Sequence, residues 1–276
     1  DFSIYKYIHT GTTVYSGNTL PSNSIYEMVI DKYNYVLYIT TSLGVYKLDL
    51  NDNIGTVYNN LSNPMPPNSG KTTTTTRSNI VYYRNSQNEV VVYFGFWGYG
   101  VWEYNSTTNS GRTITNSTYI SGHTLPTNNI YQLAINEKEE ILYIAASGGT
   151  LSYKIQTNIG FNYALNSGYV PAIGSNYPNT LYNNRTVYLD SDNNILYVGF
   201  NGFYTWVYNI NYNSGSTIIP NIPSYSVTKI DKDNINNYLY LSSERAGSTA
   251  NVIMQINLSN NNIKYFSETI GATYGY

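Results

Sequence analysis

Any acid–base or nucleophilic chemistry in this chain must come from 16 carboxylates, two histidines, lysine amines and hydroxyl groups, because cysteine is absent. Glycoside cleavage needs two carboxylates flanking the scissile bond. The acids instead gather in short Asp/Asn runs, DSDNN at 190–194 and DKDNIN at 231–236, with Asp31 and Glu137 in similar settings. Calcium takes about six to eight oxygens, commonly including a distal bidentate carboxylate, and neither run supplies one. Asp and Asn also hydrogen-bond their own backbone in tight turns. Asp31, Glu137, Asp190, Asp192, Asp231 and Asp233 therefore read as turn residues, and no metal or other cofactor is expected. Glu244 stands alone beside Arg245, and His9 and His123 have no ligand-spaced partner, so both histidines read as surface residues. A protein without enzymatic activity is the expectation.

The aromatic residues offer a different chemistry, that of stacking. GFWGYG at 95–100 has the glycine spacing of a phosphate loop but leads into a strand pattern, so no helix N-terminus awaits an anion. Its rings matter more. Phe96, Trp97 and Tyr99, with Phe200, Phe203 and Tyr204, fall in or beside turns on one expected face of the molecule. Rings beside Asn and Ser would stack on sugars or on a protein partner; rings packed between sheets would be core. Both readings stay open at this point. Asn-x-Ser/Thr sequons at Asn60, Asn105, Asn116, Asn184 and Asn257 permit glycosylation in a secreted chain.

Composition narrows the partners. Charged residues make up 11% of the chain and the net charge is -2, against about 25% charged in ordinary soluble domains. There is no global field to attract nucleic acid, and no apolar run approaches the ~18–20 residues of a membrane span. Polarity comes from Asn, Ser, Thr and 33 Tyr. Dense β-branched and aromatic content argues for strands over disorder. Such a surface does not depend on carboxylate ionisation, which fits a location outside the cell; an AT-rich coding sequence would enrich Asn, Tyr and Ile as well. Asp1 in place of Met implies a removed leader or excision from a longer chain.

These residues are positioned by a repeat. VLYITTSLGVYKLDL at 36–50 recurs as VVYFGFWGYGVWEY (91–104), ILYIAASGGTLSYKI (141–155), ILYVGFNGFYTWVYNI (195–210) and YLYLSSERAGSTANVIMQI (238–256). Each is an apolar run centred on Tyr, a turn rich in small residues, and a second alternating run, which is a β-hairpin. The centres are Tyr38, Tyr93, Tyr143, Tyr197 and Tyr240, spaced by about 50 residues, the scale of a propeller blade. Strands a to d of the first unit are expected at 25–30, 36–40, 45–50 and 54–60. The later units follow at 80–118, 131–165, 186–219 and 226–266. SGNTLPSNSIY (16–26) and SGHTLPTNNIY (121–131) echo each other and fix the register independently. No sustained helical period occurs. The fold class is all-β: a single propeller of five four-stranded blades over 21–276, preceded by a spare β-hairpin at 1–20. That hairpin repeats the c–d pattern, Tyr5-Lys6 with Tyr46-Lys47 and Tyr15 with Tyr58.

Leu37-Tyr38-Ile39 with Gly44-Val45-Tyr46, and Ile195-Leu196-Tyr197-Val198 with Gly202, resemble the repeats of two-component-regulator and sensor-type propellers. The Trp-(Ile/Val)-Gly-Thr of good members is absent from the sequence, with Tyr in place of its Trp. The resemblance implies a propeller used for binding or interaction. A Ser-x-Asp-x-Gly-x-Thr-Trp box, as in sialidases, is absent from the sequence. Two functions follow as expectations. In the first, the chain is a structural module of a surface filament, array or virion appendage. Ile4, Tyr5, Tyr7, Val14 and Tyr15 of the spare hairpin would add to a neighbouring copy or another surface protein. In the second, it is an adhesin- or lectin-like recognition propeller whose aromatic turns take glycan or protein. Both place it outside the cell, on a cell or virion surface.

Overall fold

The computed structural model describes residues 16–17, 19–58, 78–118, 120–163, 184–200, 205–217, 225–245 and 251–267. Among them every regular element is a strand. The first blade holds β1 (Ser16–Gly17), β2 (Ile25–Asp31), β3 (Val36–Thr41), β4 (Gly44–Asp49) and β5 (Ile54–Tyr58). The second holds β6 (Ser78–Arg84), β7 (Val90–Phe96), β8 (Gly100–Asn105) and β9 (Ser110–Ile114). The third holds β10 (Ser121–Gly122), β11 (Ile130–Asn136), β12 (Ile141–Ala146), β13 (Gly149–Lys154) and β14 (Ile159–Asn162). The fourth holds β15 (Asn184–Asp190), β16 (Ile195–Phe200), β17 (Thr205–Asn209) and β18 (Ser214–Thr217). The fifth holds β19 (Tyr225–Asp233), β20 (Tyr238–Arg245), β21 (Asn251–Asn257) and β22 (Ile263–Ser267). The chain is a β-propeller of five blades, each an antiparallel meander a–b–c–d with its first long strand at one sheet edge. Two compact units divide it: Asp1–Thr118 with Asn128–Ile130, and Tyr119–Thr127 with Tyr131–Tyr276.

Two features lie beyond the four-strand repeat. β1 pairs in parallel with β5, Ser16 opposite Ile54, and β10 pairs in the same way with β14, Ser121 opposite Ile159. The echoed SG-x-TLP segments are thus short fifth strands on the outer edges of blades 1 and 3. Each then crosses its own blade from outer to inner edge, burying Leu20 or Leu125 on the way. Leu20 packs on Ile39, Tyr46 and Leu48. Residues 1–15, which carry Ile4, Tyr5, Tyr7, Val14, Tyr15 and His9, lie outside the described residues, as does the Pro- and Thr-rich connection at 63–77.

The tyrosine and asparagine bias has a geometric role. Ten non-glycine residues among those described have positive φ, and eight of them are Asn. One closes each a–b turn (Tyr35, Asn88, Glu140, Asn194, Asn237) and one each c–d turn (Asn53, Asn109, Asn158, Asn213, Asn261). Asn tolerates this left-handed conformation better than other side chains. Nine of these ten turns open on Asp or Asn, the c–d turn of blade 3 being the exception. Asp31 Oδ1 accepts the Tyr33 N–H at 2.8 Å, Asn105 Oδ1 those of Thr107 and Thr108 at 3.0 Å, and Asp233 Oδ1 those of Ile235 and Asn236 at 2.9 and 3.1 Å. In blades 2 to 4 a strand-c tyrosine locks the c–d turn. Tyr104 donates to Asn109 Oδ1 at 3.0 Å, Tyr153 to Asn158 Oδ1 at 2.8 Å, and Tyr208 to Asn213 Oδ1.

Packing within each unit follows from period-2 alternation. One face of blade 1 (Val36, Tyr38, Val45, Tyr58) meets Ile80, Val92, Phe94 and Tyr104 of blade 2. Tyr197 of blade 4 meets Ile230, Leu239, Leu241 and Met254 of blade 5. Two residues past the central Tyr, a small side chain leaves a notch. At Gly199 a Cβ would stand 2.7 Å from Val227 Cγ1, and at Gly95 one would stand 2.6 Å from Ile130 Cγ2. This is why the sequence turns to small residues there.

Candidate aromatic binding site

The b–c turn of blade 2 carries the candidate site. Gly98 and Gly100 hold φ +85° and +80°, a region closed to most side chains, and they bend Trp97 and Tyr99 into a tight loop between β7 and β8. The Gly100 N–H donates to the Asn128 carbonyl at 2.9 Å. Asn128 Oδ1 in turn accepts the Asn116 N–H at 2.7 Å. Thr115, Ser117 and Thr118 interlock beside it: Thr115 Oγ1 lies 2.9 Å from Ser117 Oγ and 3.0 Å from Thr118 Oγ1. All three segments belong to the first compact unit. Trp97 and Tyr99 are half-buried and Asn116 and Ser117 exposed. Residues 95–101, 114–118 and 128–130 contain no Asp, Glu, Lys or Arg. These segments thus bring together two half-buried aromatic residues, amides and hydroxyls with no charged residue of their own, which suits an uncharged polyhydroxylated ligand or a neutral polar protein surface.

The expected aromatic residues separate in space. Phe96 is buried, its ring 4.6 Å from that of Trp102, because β7 runs two residues past the expected end of the strand. Phe200 is fully buried for the same reason at the end of β16. Both rings are core. Trp97 and Tyr99 stay at the rim, Tyr99 leaning on the core of blades 1 and 2. Phe203 and Tyr204 lie outside the described residues. Thr115, Asn116, Ser117 and Asn128 join the site unannounced by the repeat motif. Their signal in the sequence is the pair of uncharged runs TNST and NNI on either side of the second SG-x-TLP segment.

The carboxylates have structural partners. Glu103 forms a two-point pair with Arg112, at 2.9 and 3.0 Å, and accepts the Tyr93 hydroxyl at 3.0 Å. Glu27 accepts the Ile80 N–H at 2.8 Å, tying β2 to β6. Asp190 is buried with Lys232 against it. Burial pushes the Asp190 carboxyl up, but hydrogen bonds from Lys232 and Asn193 outweigh this and hold it below the usual carboxylate range. Glu244 falls within β20, opposite Ser226 and Asn251, and not in a turn as the repeat pattern implies. His123 Nδ1 accepts the Asn162 N–H at 3.4 Å, and its ring lies 5.8 Å from that of Phe161.

The sequons differ in access. Asn184 is fully buried and its amide donates to Thr150 Oγ1 at 2.6 Å. Asn105 donates to Glu89 Oε2 at 2.9 Å. Asn257 caps its turn by accepting the Ser259 N–H at 2.9 Å. Asn116 is exposed, and Asn60 lies outside the described residues.

No protein-family model matches the sequence, and neither does any curated protein sequence. Solved structures do match. The extracellular domain of BT3049 of B. thetaiotaomicron, described as a hybrid two-component system, superposes with TM-score 0.66 at 17% identity. The match covers 94% of this chain and 30% of that one. The extracellular domain of BT4673 from the same organism gives TM-score 0.62 at 14% identity, over 92% of this chain and 28% of that one. The GH74 xyloglucanase of Xanthomonas campestris gives TM-score 0.59 at 10% identity, over 87% of this chain and 37% of the enzyme. At these identities the likeness is one of fold. It agrees with the sensor-type propeller resemblance read from the hairpin motif. The chain spans about a third of the length of these proteins.

Proposed function

We propose that this chain is a non-catalytic, extracellular recognition propeller that takes carbohydrate on the rim formed by Trp97, Tyr99, Thr115, Asn116, Ser117 and Asn128. The observation that carries this reading is the pairing of two half-buried rings with an amide and hydroxyl surface free of local charge. Sugars present both an apolar face for stacking and hydroxyls for neutral hydrogen bonds. Similarity to extracellular sensor domains and to a xyloglucanase propeller supports the setting. The test is a broad glycan array followed by titration. Binding that falls at least tenfold in Trp97→Ala and in Tyr99→Ala, with thermal stability retained, is the expected outcome. Silence across neutral and acidic glycans overturns it.

A second reading has its own support. In it the chain is a structural module of a surface filament, array or virion appendage, with another copy or another surface protein as partner. Met28, Ile30 and Ile25 are exposed on β2, apolar area that a lone module leaves in water. Deletion of residues 1–20 tests the part assigned to the N-terminal segment: assembly should be lost while the blades stay folded, and assembly that persists removes that role.

A further inference from the structure

Two cations meet on one ring at the a–b turns of blades 1 and 2. The guanidinium carbon of Arg84, the last residue of β6, stands 4.2 Å from the centre of the Tyr33 ring, and Lys32 Nζ stands 5.4 Å from it. The two charges are therefore no more than about 10 Å apart, close enough to repel at moderate salt. No carboxylate of the described residues forms an ion pair with either. Elsewhere the chain pairs its cations, Arg112 with Glu103 and Lys232 with Asp190.

The cluster is held in place by its own contacts. Tyr82 meets Tyr33 edge-on, with ring centres 6.3 Å apart, and its hydroxyl accepts the Lys32 N–H at 3.4 Å. Arg84 Nη1 donates to Asn88 Oδ1 at 2.8 Å, and its Nε is buried without an acceptor. One amide and one ring thus hold a guanidinium that carries several further N–H donors. The acids of the same turns are committed to turn contacts. Asp31 is buried, with Oδ1 on the Tyr33 and Asn34 N–H groups and Oδ2 on the Asn34 amide. Asp49 Oδ1 accepts the Asn51 and Asp52 N–H groups, and Glu89 Oε2 accepts the Asn85 and Asn105 amides. All of these residues belong to the first compact unit.

We propose that this cluster binds an oxyanion carried by an acidic saccharide, either a uronate carboxylate or a sulfate ester. The guanidinium fork matches a carboxylate or sulfate edge through paired N–H donors, and Lys32 adds a point charge. Tyr33 is 38% exposed, and Tyr35, two residues on in the same turn, is 54% exposed. Such rings offer apolar faces on which a sugar stacks, which favours a saccharide over a bare ion. These turns lie at the opposite end of the strands from the Trp97 turn, roughly 20 Å away along the seven residues of β7. The site stands independently of neutral carbohydrate binding at the blade 2 rim.

The test is calorimetric titration of the full chain with an oligogalacturonate, a sulfated oligosaccharide, a neutral oligosaccharide of equal length, a short polyglutamate peptide and inorganic sulfate. Saturable binding of at least one acidic oligosaccharide is expected, and which one binds identifies the group. Added salt should weaken it, and Arg84→Gln and Lys32→Gln should each weaken it about tenfold or more. Lys32 is exposed, so Lys32→Gln carries the test if Arg84→Gln loses its strand spectrum. The Trp97 indole signal should stay in place as the acidic probe saturates. A Trp97 shift with the same affinity would put the probe on the blade 2 rim and overturn the assignment. So would silence with both acidic oligosaccharides, equal binding of the neutral probe or of polyglutamate, inorganic sulfate bound as tightly as the saccharides, or affinity that survives Lys32→Gln.

Discussion

The notch residues show how much a single atom decides. A Cβ at Gly199 would lie 2.6 Å from Thr186 Cγ2 and 2.7 and 2.8 Å from Val227 Cγ1 and Cβ. Both neighbours are buried and β-branched, so neither can turn aside freely. Gly199→Ala should therefore destabilise by about 1–3 kcal/mol through overpacking, read as a lowered melting temperature. Unchanged stability would mean that blades 4 and 5 are less tightly joined than the geometry implies. Blade 3 accommodates Ala145 at the equivalent place, so the requirement is set by each neighbour and not by the repeat alone. Asn184 gives a second residue-level expectation. Its buried amide is committed to Thr150, so a glycan cannot sit there in the folded chain. Expressed in a glycosylating secretory host, Asn116 should be modified and Asn184 not, as read by glycopeptide mass spectrometry. Occupancy at Asn184 in folded material would contradict the register of β15.

The hairpins are built around left-handed turn residues, and two of them, Tyr35 and Glu140, are not Asn. Tyr35 closes the a–b turn of blade 1 with φ +54°, where the fourth and fifth blades use Asn194 and Asn237. The left-handed region costs about 1–2 kcal/mol for ordinary side chains and less for Asn. Tyr35 is largely exposed and gives up little packing. Tyr35→Asn should raise the melting temperature by a few degrees, and a fall would show that the ring contributes more than the turn. The positions of the twenty long strands among the described residues were legible in the sequence, because Tyr-centred alternation and Asx turns mark them locally. Two features were hidden. The fifth strands β1 and β10 contain only two residues each, too few for any period, although the SG-x-TLP echo pointed to their segments. Strand ends at Phe96 and Phe200 were also hidden, since a turn rich in Gly and aromatics does not reveal where pairing stops. That decided which aromatic residues became core and which stayed at the rim. The uncharged segments beside this turn could not be read in advance either, because it is the hydrogen bonds of Asn128 to Gly100 and Asn116 that join them to it.

At the scale of the molecule, the tyrosine cores set the response to pH. Burial is the main reason that the Tyr38, Tyr58 and Tyr143 hydroxyls are held above their ordinary range, and it pushes Tyr197 up to about 12. Nearby charge from Asp190 and Tyr188 adds to the shift at Tyr197. An unfolded tyrosine ionises near pH ~10. The neutral form is thus favoured by folding, and this contribution is fully present below about pH 10. It is lost as pH rises toward 12, the folded value for Tyr197. Phenolate absorbance and far-ultraviolet dichroism followed together should show the core tyrosines ionising only as the strands are lost. Smooth titration in a folded chain would contradict their burial. The central claim is that an uncharged aromatic rim on blade 2 is the recognition surface. The chain has three Trp; Trp102 and Trp206 are buried, and Trp97 is at the rim. The most direct measurement is a 15N spectrum of the indole N–H signals, with Trp97 assigned through Trp97→Phe, during titration with neutral oligosaccharides. The expected result is a saturable shift of the Trp97 signal while the other two stay in place. No shift of Trp97 with any neutral or acidic oligosaccharide, or a saturable shift centred on the other two, would contradict the claim.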